Sequence, residues 1–153
     1  MAVIYSDAWY EDMKGLINGC APFLERAPRE RVVMTIEVIG DAASPYVGAG
    51  SAIHFLVVLD GGRVVEYRPL ASRHDGAGLG FRFTADASVW ESIAAGHLDP
   101  ITAGMRGRIR IRGDMRFLMK NADAVKELVD VYGRQGRTEW PRGRPPYAKG
   151  AEP

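Results

Sequence analysis

Ser72, His74 and Asp75 combine a hydroxyl, an imidazole and a carboxylate, the residue types of a hydrolytic triad. They span four positions of one loop, whereas a triad is assembled by geometry across a fold. No G-x-S-x-G elbow presents a serine nucleophile. The competing reading is a turn that hydrogen-bonds its own backbone. Cys20, the single cysteine, could act as a nucleophile with a distant histidine. It falls on the apolar stripe of a helix, where a thiol serves as buried filler. His54, His74 and His97 lie in separate elements, and neither HExxH nor CxxC occurs. The glycine runs at Gly48–Ser51 and Gly76–Gly80 precede strands, whereas phosphate binding needs such a loop to open onto a helix. No catalytic residue, metal or cofactor is expected.

Two further features bear on chemistry. His54 sits inside a buried strand, either as a satisfied core histidine or as the one polar handle of an apolar pocket. Arg108, Arg110 and Arg112 alternate with Ile109 and Ile111, so they share one face of a strand, and Arg82 shares a face of another. If those strands pair, four guanidinium groups form one basic patch. That patch is either a solvated sheet face, partly matched by Glu37 and Glu66, or a contact for an anionic membrane surface or acidic partner. No aromatic stripe accompanies the arginines, so nucleic acid is not expected.

The elements that must position these residues are short. Ser6 caps a first helix, 6–26, with Trp9, Met13, Leu16, Ile17, Cys20 and Phe23 on one stripe. Val32–Ile39 alternates in its centre, with Met34, Ile36 and Val38 opposite Thr35 and Glu37. Ser51–Asp60 is almost continuously apolar and reads as a strand buried on both faces, and Asp60–Gly62 turns it into a hairpin with Arg63–Pro69. Phe81–Asp86 alternates again. Asp86 caps a helix that ends at Gly96, Asp99 and Pro100 open a second short helix, and Asp114 caps a last long one. Met115, Leu118, Met119, Ala122, Val125, Val129 and Tyr132 form its apolar stripe. This order predicts an α+β fold, a five-stranded, mostly antiparallel sheet with helices on one face. The predicted domain covers 1–133, and 134–153, rich in Gly, Pro and Arg, is a mobile or draped tail.

The 153 residues carry a net charge of +1, with 46% hydrophobic and 25% charged residues. That balance fits one globular domain and favours no charged partner in bulk. One cysteine, no basic leader and no apolar run near the ~20 residues of a membrane span predict a cytoplasmic protein.

Gly80–Met115 resembles the core of the sterol carrier protein 2 family. The likeness rests on "FRFTAD" leading into a helix with Trp90, on "GHLDP", and on "AGMRGRIRIRGDM" ahead of the closing helix. The resemblance implies that the sheet and helices enclose an apolar tunnel holding a sterol, fatty acid, acyl-CoA or other lipid, without catalysis. Carried onto this sequence, the lining would be Met34, Ile36, Ile53, Phe55, Phe81 and Phe83 from the first strands. Trp90, Ile109, Ile111, Met115, Leu118, Met119 and Ala122 would complete it. The tail lacks a Ser-Lys-Leu ending, so a peroxisomal address is not expected. The competing functions are an accessory protein presenting a lipophilic intermediate, such as a quinone precursor, to partner enzymes, an enzyme acting on an apolar substrate, and a plain interaction module. A monomer or a dimer fits each.

Overall fold

Val32–Ile39 and Phe81–Asp86, each alternating in sequence, lie side by side inside the sheet. The computed structural model describes residues 2–76, 78, 80–135 and 138–147. Its elements in chain order are β1 (Ala2–Val3), α1 (Asp7–Asn18), α2 (Ala21–Arg26), β2 (Val32–Ile39), β3 (Ala52–Asp60) and β4 (Arg63–Leu70). A short 3-10 turn (Arg73–Gly76) follows, then β5 (Phe81–Asp86), α3 (Ala87–Ala94), α4 (Pro100–Met105), β6 (Ile109–Arg112), α5 (Met115–Lys120), α6 (Ala122–Gln135) and β7 (Thr138–Glu139). The main sheet runs β4-β3-β2-β5-β6, with β2 and β5 parallel and the other neighbours antiparallel. This is the predicted α+β architecture, with the helices on one face.

The register sorts side chains into rows. On the helix-covered face, Tyr67, Val57, Met34 and Phe81 form one row, and Phe55, Ile36, Phe83 and Ile111 the next. On the other face, Arg68, Leu56, Thr35, Arg82 and Arg112 align, beside a row of Leu70, His54, Glu37, Thr84 and Arg110. Helix α1 lies over β4, and α4 over β6, while α3 and α2 both meet α6. Trp9 and Tyr10 of α1 pack with Phe55 and Tyr67 at ring-centroid distances of 5.3 to 6.4 Å. Edge and tilted contacts of this kind add to simple burial.

Turn and cap chemistry largely follows the sequence. Gly61 and Gly62, at φ 61° and 84°, close the β3–β4 hairpin in the left-handed conformations that a two-residue turn requires. Ser6, Asp99 and Asp114 accept backbone N–H bonds at the starts of α1, α4 and α5. Asp86 occupies the cap position of α3, but its side chain makes no cap hydrogen bond.

Two predicted helices are broken. The first divides at Gly19 and Cys20, and Pro22 sits in the first turn of α2, where its missing N–H has no intrahelical role. The last divides at Asn121, whose Nδ2 donates to the Phe117 carbonyl at 2.8 Å. The break rotates the apolar stripe. Phe117, Ala124, Leu128 and Val131 face the core, while Met115 and Met119 are exposed. The inward placement expected of these two methionines is therefore corrected. The side chains of Val129 and Tyr132 lie outside the described set.

The predicted tail, 134–153, makes specific contacts over its described stretch. Strand β7 pairs in parallel with β1, and Trp9 Nε1 donates to Thr138 Oγ1 at 3.0 Å. Tyr46 donates to the Gly143 carbonyl, and Arg144 to the Ala95 carbonyl.

Candidate functional site

The covered face of the sheet is buried unevenly. On β2, Val32 and Val38 at the two ends are 6% and 0% exposed, yet Met34 and Ile36 between them are only half-buried. On β5, Phe83 is half-buried between the buried Phe81 and Ala85. Ile111 continues the row as a half-buried residue on β6. Central positions of a covered sheet are ordinarily its most buried. Here Ile36, Phe83 and Ile111 are more accessible than Val38, Ala85 and Ile109 on one side of their row, and Met34 on the other side shares that exposure. The apolar core divides along this line into two clusters, and Phe83 and Trp90 pack against both. Trp90 is fixed by an Nε1 bond to the Glu37 carbonyl at 3.0 Å.

This seam gathers Met34, Ile36, Phe83, Trp90 and Ile111 of the residues named from sequence. Phe55 is instead buried in the aromatic cluster under α1, Phe81 stacks on Phe83 and tilts against Phe117, and Ile53 packs half-buried against the larger cluster. Ile109 lies in the core of the smaller cluster, while Leu118 packs half-buried on the larger one and Ala122 is partly exposed. The Tyr10 residue is 2% exposed, and its hydroxyl has no partner among the described residues. A buried hydroxyl without a partner is costly, and burial raises its pKa, with the Asp7 charge adding to the effect. Sequence reasoning missed this group, because tyrosine on an apolar stripe reads simply as core.

The polar candidates fall elsewhere. His54 is on the opposite face of the sheet, so it is no handle for the seam. Its Nδ1 lies 3.5 Å from Glu37 Oε2. Glu37 also takes Arg73 Nε at 3.3 Å and the Thr84 hydroxyl at 3.1 Å. The Ser72–Asp75 loop is a self-bonded turn, with Ser72 N on Asp75 Oδ2 and Asp75 N on the Ser72 carbonyl. The side chain of His74, and residues Ala77 and Leu79, lie outside the described set. Cys20 is partly buried against the core. Among the described residues no cluster of three or more His, Cys, Asp or Glu is arranged to hold a metal.

Strands β5 and β6 do pair, and Arg82 stands directly opposite Arg112 with Arg110 beside it. Arg108 precedes the strand and is exposed. Glu66 is bonded to Arg68 at 3.0 Å. No carboxylate partner of Arg82, Arg110 or Arg112 is present among the described residues.

A second site went unseen in the sequence. Glu91 is 0% exposed and accepts hydrogen bonds from the hydroxyls of Tyr5 (2.7 Å), Ser44 (2.8 Å) and Tyr147. Burial raises its pKa, an effect that the three hydrogen bonds oppose and Asp41 reinforces. Ser44 Oγ also accepts from the backbone of Tyr46 and Val47, so one carboxylate joins α3, the loop before β3, the N-terminal segment and the tail. The available signal was composition. Helix α3, ASVWESIA, has one charge, and a helix apolar all round is buried together with any charge that it carries.

A family model, the SCP-2 sterol transfer family, matches residues 44–126. The fold is similar to the solution structure of a conserved protein from Thermus thermophilus. The TM-score is 0.72 at 23% identity, covering 86% of this chain and 88% of that one. It is equally similar to a crystal structure of sterol carrier protein 2, with a TM-score of 0.72 at 21% identity over 85% and 97% of the two chains. The solution structure of palmitated SCP2L2 from Aedes aegypti gives a TM-score of 0.52 at 16% identity over 75% and 88%. Among the curated proteins none matches.

Proposed function

The chain belongs to the SCP-2 sterol transfer family, and from that premise we propose that it holds one apolar lipid along the seam between sheet and helices and carries it between donors and acceptors. Lipid binding and transfer is the function of the family; the seam is what suggests where this chain does it. The half-buried row Ile36–Phe83–Ile111 carries the reading, because accessible apolar surface in the middle of a covered sheet is a place where an acyl chain adds missing contacts. Each CH₂ moved from water contributes ~0.8 kcal/mol. The ligand class is a fatty acid or another lipid with one oxygen-bearing end. Tyr10 packs on Phe55, the residue next to Ile36 in the same row, and its buried hydroxyl, without a partner among the described residues, supports that end group as its acceptor. No described residue of the seam is a nucleophile or a general base, which supports carriage without turnover.

The Arg82–Arg112 face supplies an encounter surface for an anionic membrane or an acidic partner enzyme. An accessory role, presenting a lipophilic intermediate to such an enzyme, would use the same seam.

The test is a titration of the delipidated protein with a fluorescent fatty acid, together with mass spectrometry of apolar molecules that co-purify. Saturable uptake is expected, and Ile36→Phe should reduce it while leaving the melting temperature within a few degrees. If the seam is a filled core, the same substitution overpacks it at about 1–3 kcal/mol, no fatty acid binds, and the proposal fails.

A further inference from the structure

Helix α5 (Met115–Lys120) has no fully buried residue. Phe117 and Leu118, both half-buried, attach it to the larger apolar cluster, and Phe117 meets Phe81 at a ring-centroid distance of 5.8 Å. The other side of the helix is unusual in composition. Met115 and Met119, one turn apart, are 47% and 61% exposed, and Arg116 and Lys120, also one turn apart, are exposed beside them. At 3.6 residues per turn these four fall within an arc of about 140°, and Phe117 and Leu118 occupy the remainder.

Solvent-exposed methionines at i, i+4 gain nothing from water, and isolated apolar residues need no explanation only when scattered. Cations flank them. Arg112 is exposed just before the helix, so Arg112, Arg116 and Lys120 stand against two carboxylates, Asp114 and Asp123. Asp114 is already engaged, accepting the N–H groups of Arg116 and Phe117. Flexible apolar side chains with cations along one side complement the interface of an anionic bilayer, where thioethers enter the upper acyl region and cations meet phosphate.

The ends of α5 suit a detachable element. Gly113, at φ 140°, links it to β6 in a conformation that L side chains rarely adopt, and a Cβ there would collide with the edge of the Phe81 ring. Asn121 breaks it from α6. Few buried contacts and short helical length give such an element low local stability.

We propose that α5 is the surface on which this protein docks to an anionic lipid leaflet, with Met115 and Met119 inserted and Arg116 and Lys120 on the headgroup phosphates. This rests on the lipid-carrier reading above and adds the site of exchange. Drawing α5 into the leaflet withdraws Phe117 and Leu118 from the apolar interior, which opens the seam toward the membrane.

The test is flotation of the full chain with vesicles of phosphatidylcholine alone, or of phosphatidylcholine mixed with phosphatidylglycerol, at low and high salt. The protein should float with the mixed vesicles at low salt. Met115→Gln combined with Met119→Gln should lower that binding at least about tenfold, and Arg116→Gln combined with Lys120→Gln should abolish the preference for phosphatidylglycerol. Both variants should take up fluorescent fatty acid in the absence of vesicles as the parent does, which separates this proposal from the carrier reading. In a Met119→Trp variant, which keeps the face apolar, brominated acyl chains should quench fluorescence beyond the quenching of the parent. Absence of flotation, equal binding by all variants, or no added quenching at position 119 overturns the proposal. If the methionine variant instead dissociates a dimer with flotation unchanged, the face belongs to a second copy and the membrane assignment is overturned.

Discussion

The Tyr5 hydroxyl donates to Glu91 Oε2 at 2.7 Å across 86 residues of sequence. Tyr5 does so from a backbone φ of 67°, the one positive value at a non-glycine position among the described residues. Local strain of this kind, of order 1–3 kcal/mol, persists where surrounding contacts over-determine it. Here the contact is a fully buried carboxyl group that also ties down the tail and the loop before β3.

Glu91 makes stability depend on pH. Its pKa is raised in the folded chain, chiefly by burial. A raised carboxyl pKa means that its contribution is fully present below the ordinary carboxylate value and is lost as pH climbs through the raised one. Glu91→Gln mimics the protonated form. The parent and the variant should therefore melt together near about pH 4, with the variant gaining on the parent toward about pH 7. Melting curves that stay parallel across this range would show that Glu91 does not titrate in it.

The two aspartates that precede helices should behave differently. Asp114 accepts two backbone N–H groups, so Asp114→Ala should cost ~1 kcal/mol in urea unfolding. Asp86 has the position of a cap without its hydrogen bond. Asp86→Ala should stay within about 0.5 kcal/mol. Equal losses at both positions would contradict the difference in cap geometry.

Arg82 faces Arg112 across the β5–β6 pair. Like charges directly opposite are unfavourable, and opposite charges there contribute roughly 0.2–1 kcal/mol. Arg82→Glu should raise stability by an amount in that range, more at low salt than at high salt. A destabilised variant would mean that the Arg82 bond to the Arg73 carbonyl, at 3.4 Å, outweighs the repulsion.

Tyr10→Phe removes a buried hydroxyl that has no partner among the described residues. The ligand-free protein should become more stable by ~1 kcal/mol, while its affinity for a fatty acid should fall. A loss of stability without ligand would reveal a hydrogen bond that the hydroxyl satisfies internally.

Much of this was legible in the sequence because it is local. The alternation of Met34, Ile36 and Val38, of Phe81 and Phe83, and of Ile109 and Ile111 assigned each strand its inner face without knowledge of any neighbour. What failed depended on competition between distant segments. The region after Asp114 carries two apolar series, one through Met115 and Met119 and another through Phe117, Ala124 and Leu128. Only packing on Phe81, with the break at Asn121, selects the second. Glu91 was passed over for a related reason. A carboxylate in a helix reads as solvent-facing until Tyr5, Ser44 and Tyr147 arrive from three other parts of the chain.

The parallel pairing of β2 with β5 also shapes how the chain folds. The hairpin of β3 and β4 lies between these strands in sequence, and β3 covers one edge of β2. The other edge stays open until Phe81–Asp86 has been synthesised, and non-local pairing of this type is slow. During that interval Val32–Ile39 is an apolar, β-branched segment with a free edge, the form that templates aggregation. Its single charge is Glu37, and a charge in such a segment opposes its association; Glu37→Val should raise aggregation during refolding. The carboxylate that Arg73 and Thr84 enclose in the folded sheet is thus the one charge that this segment carries while its edge is open.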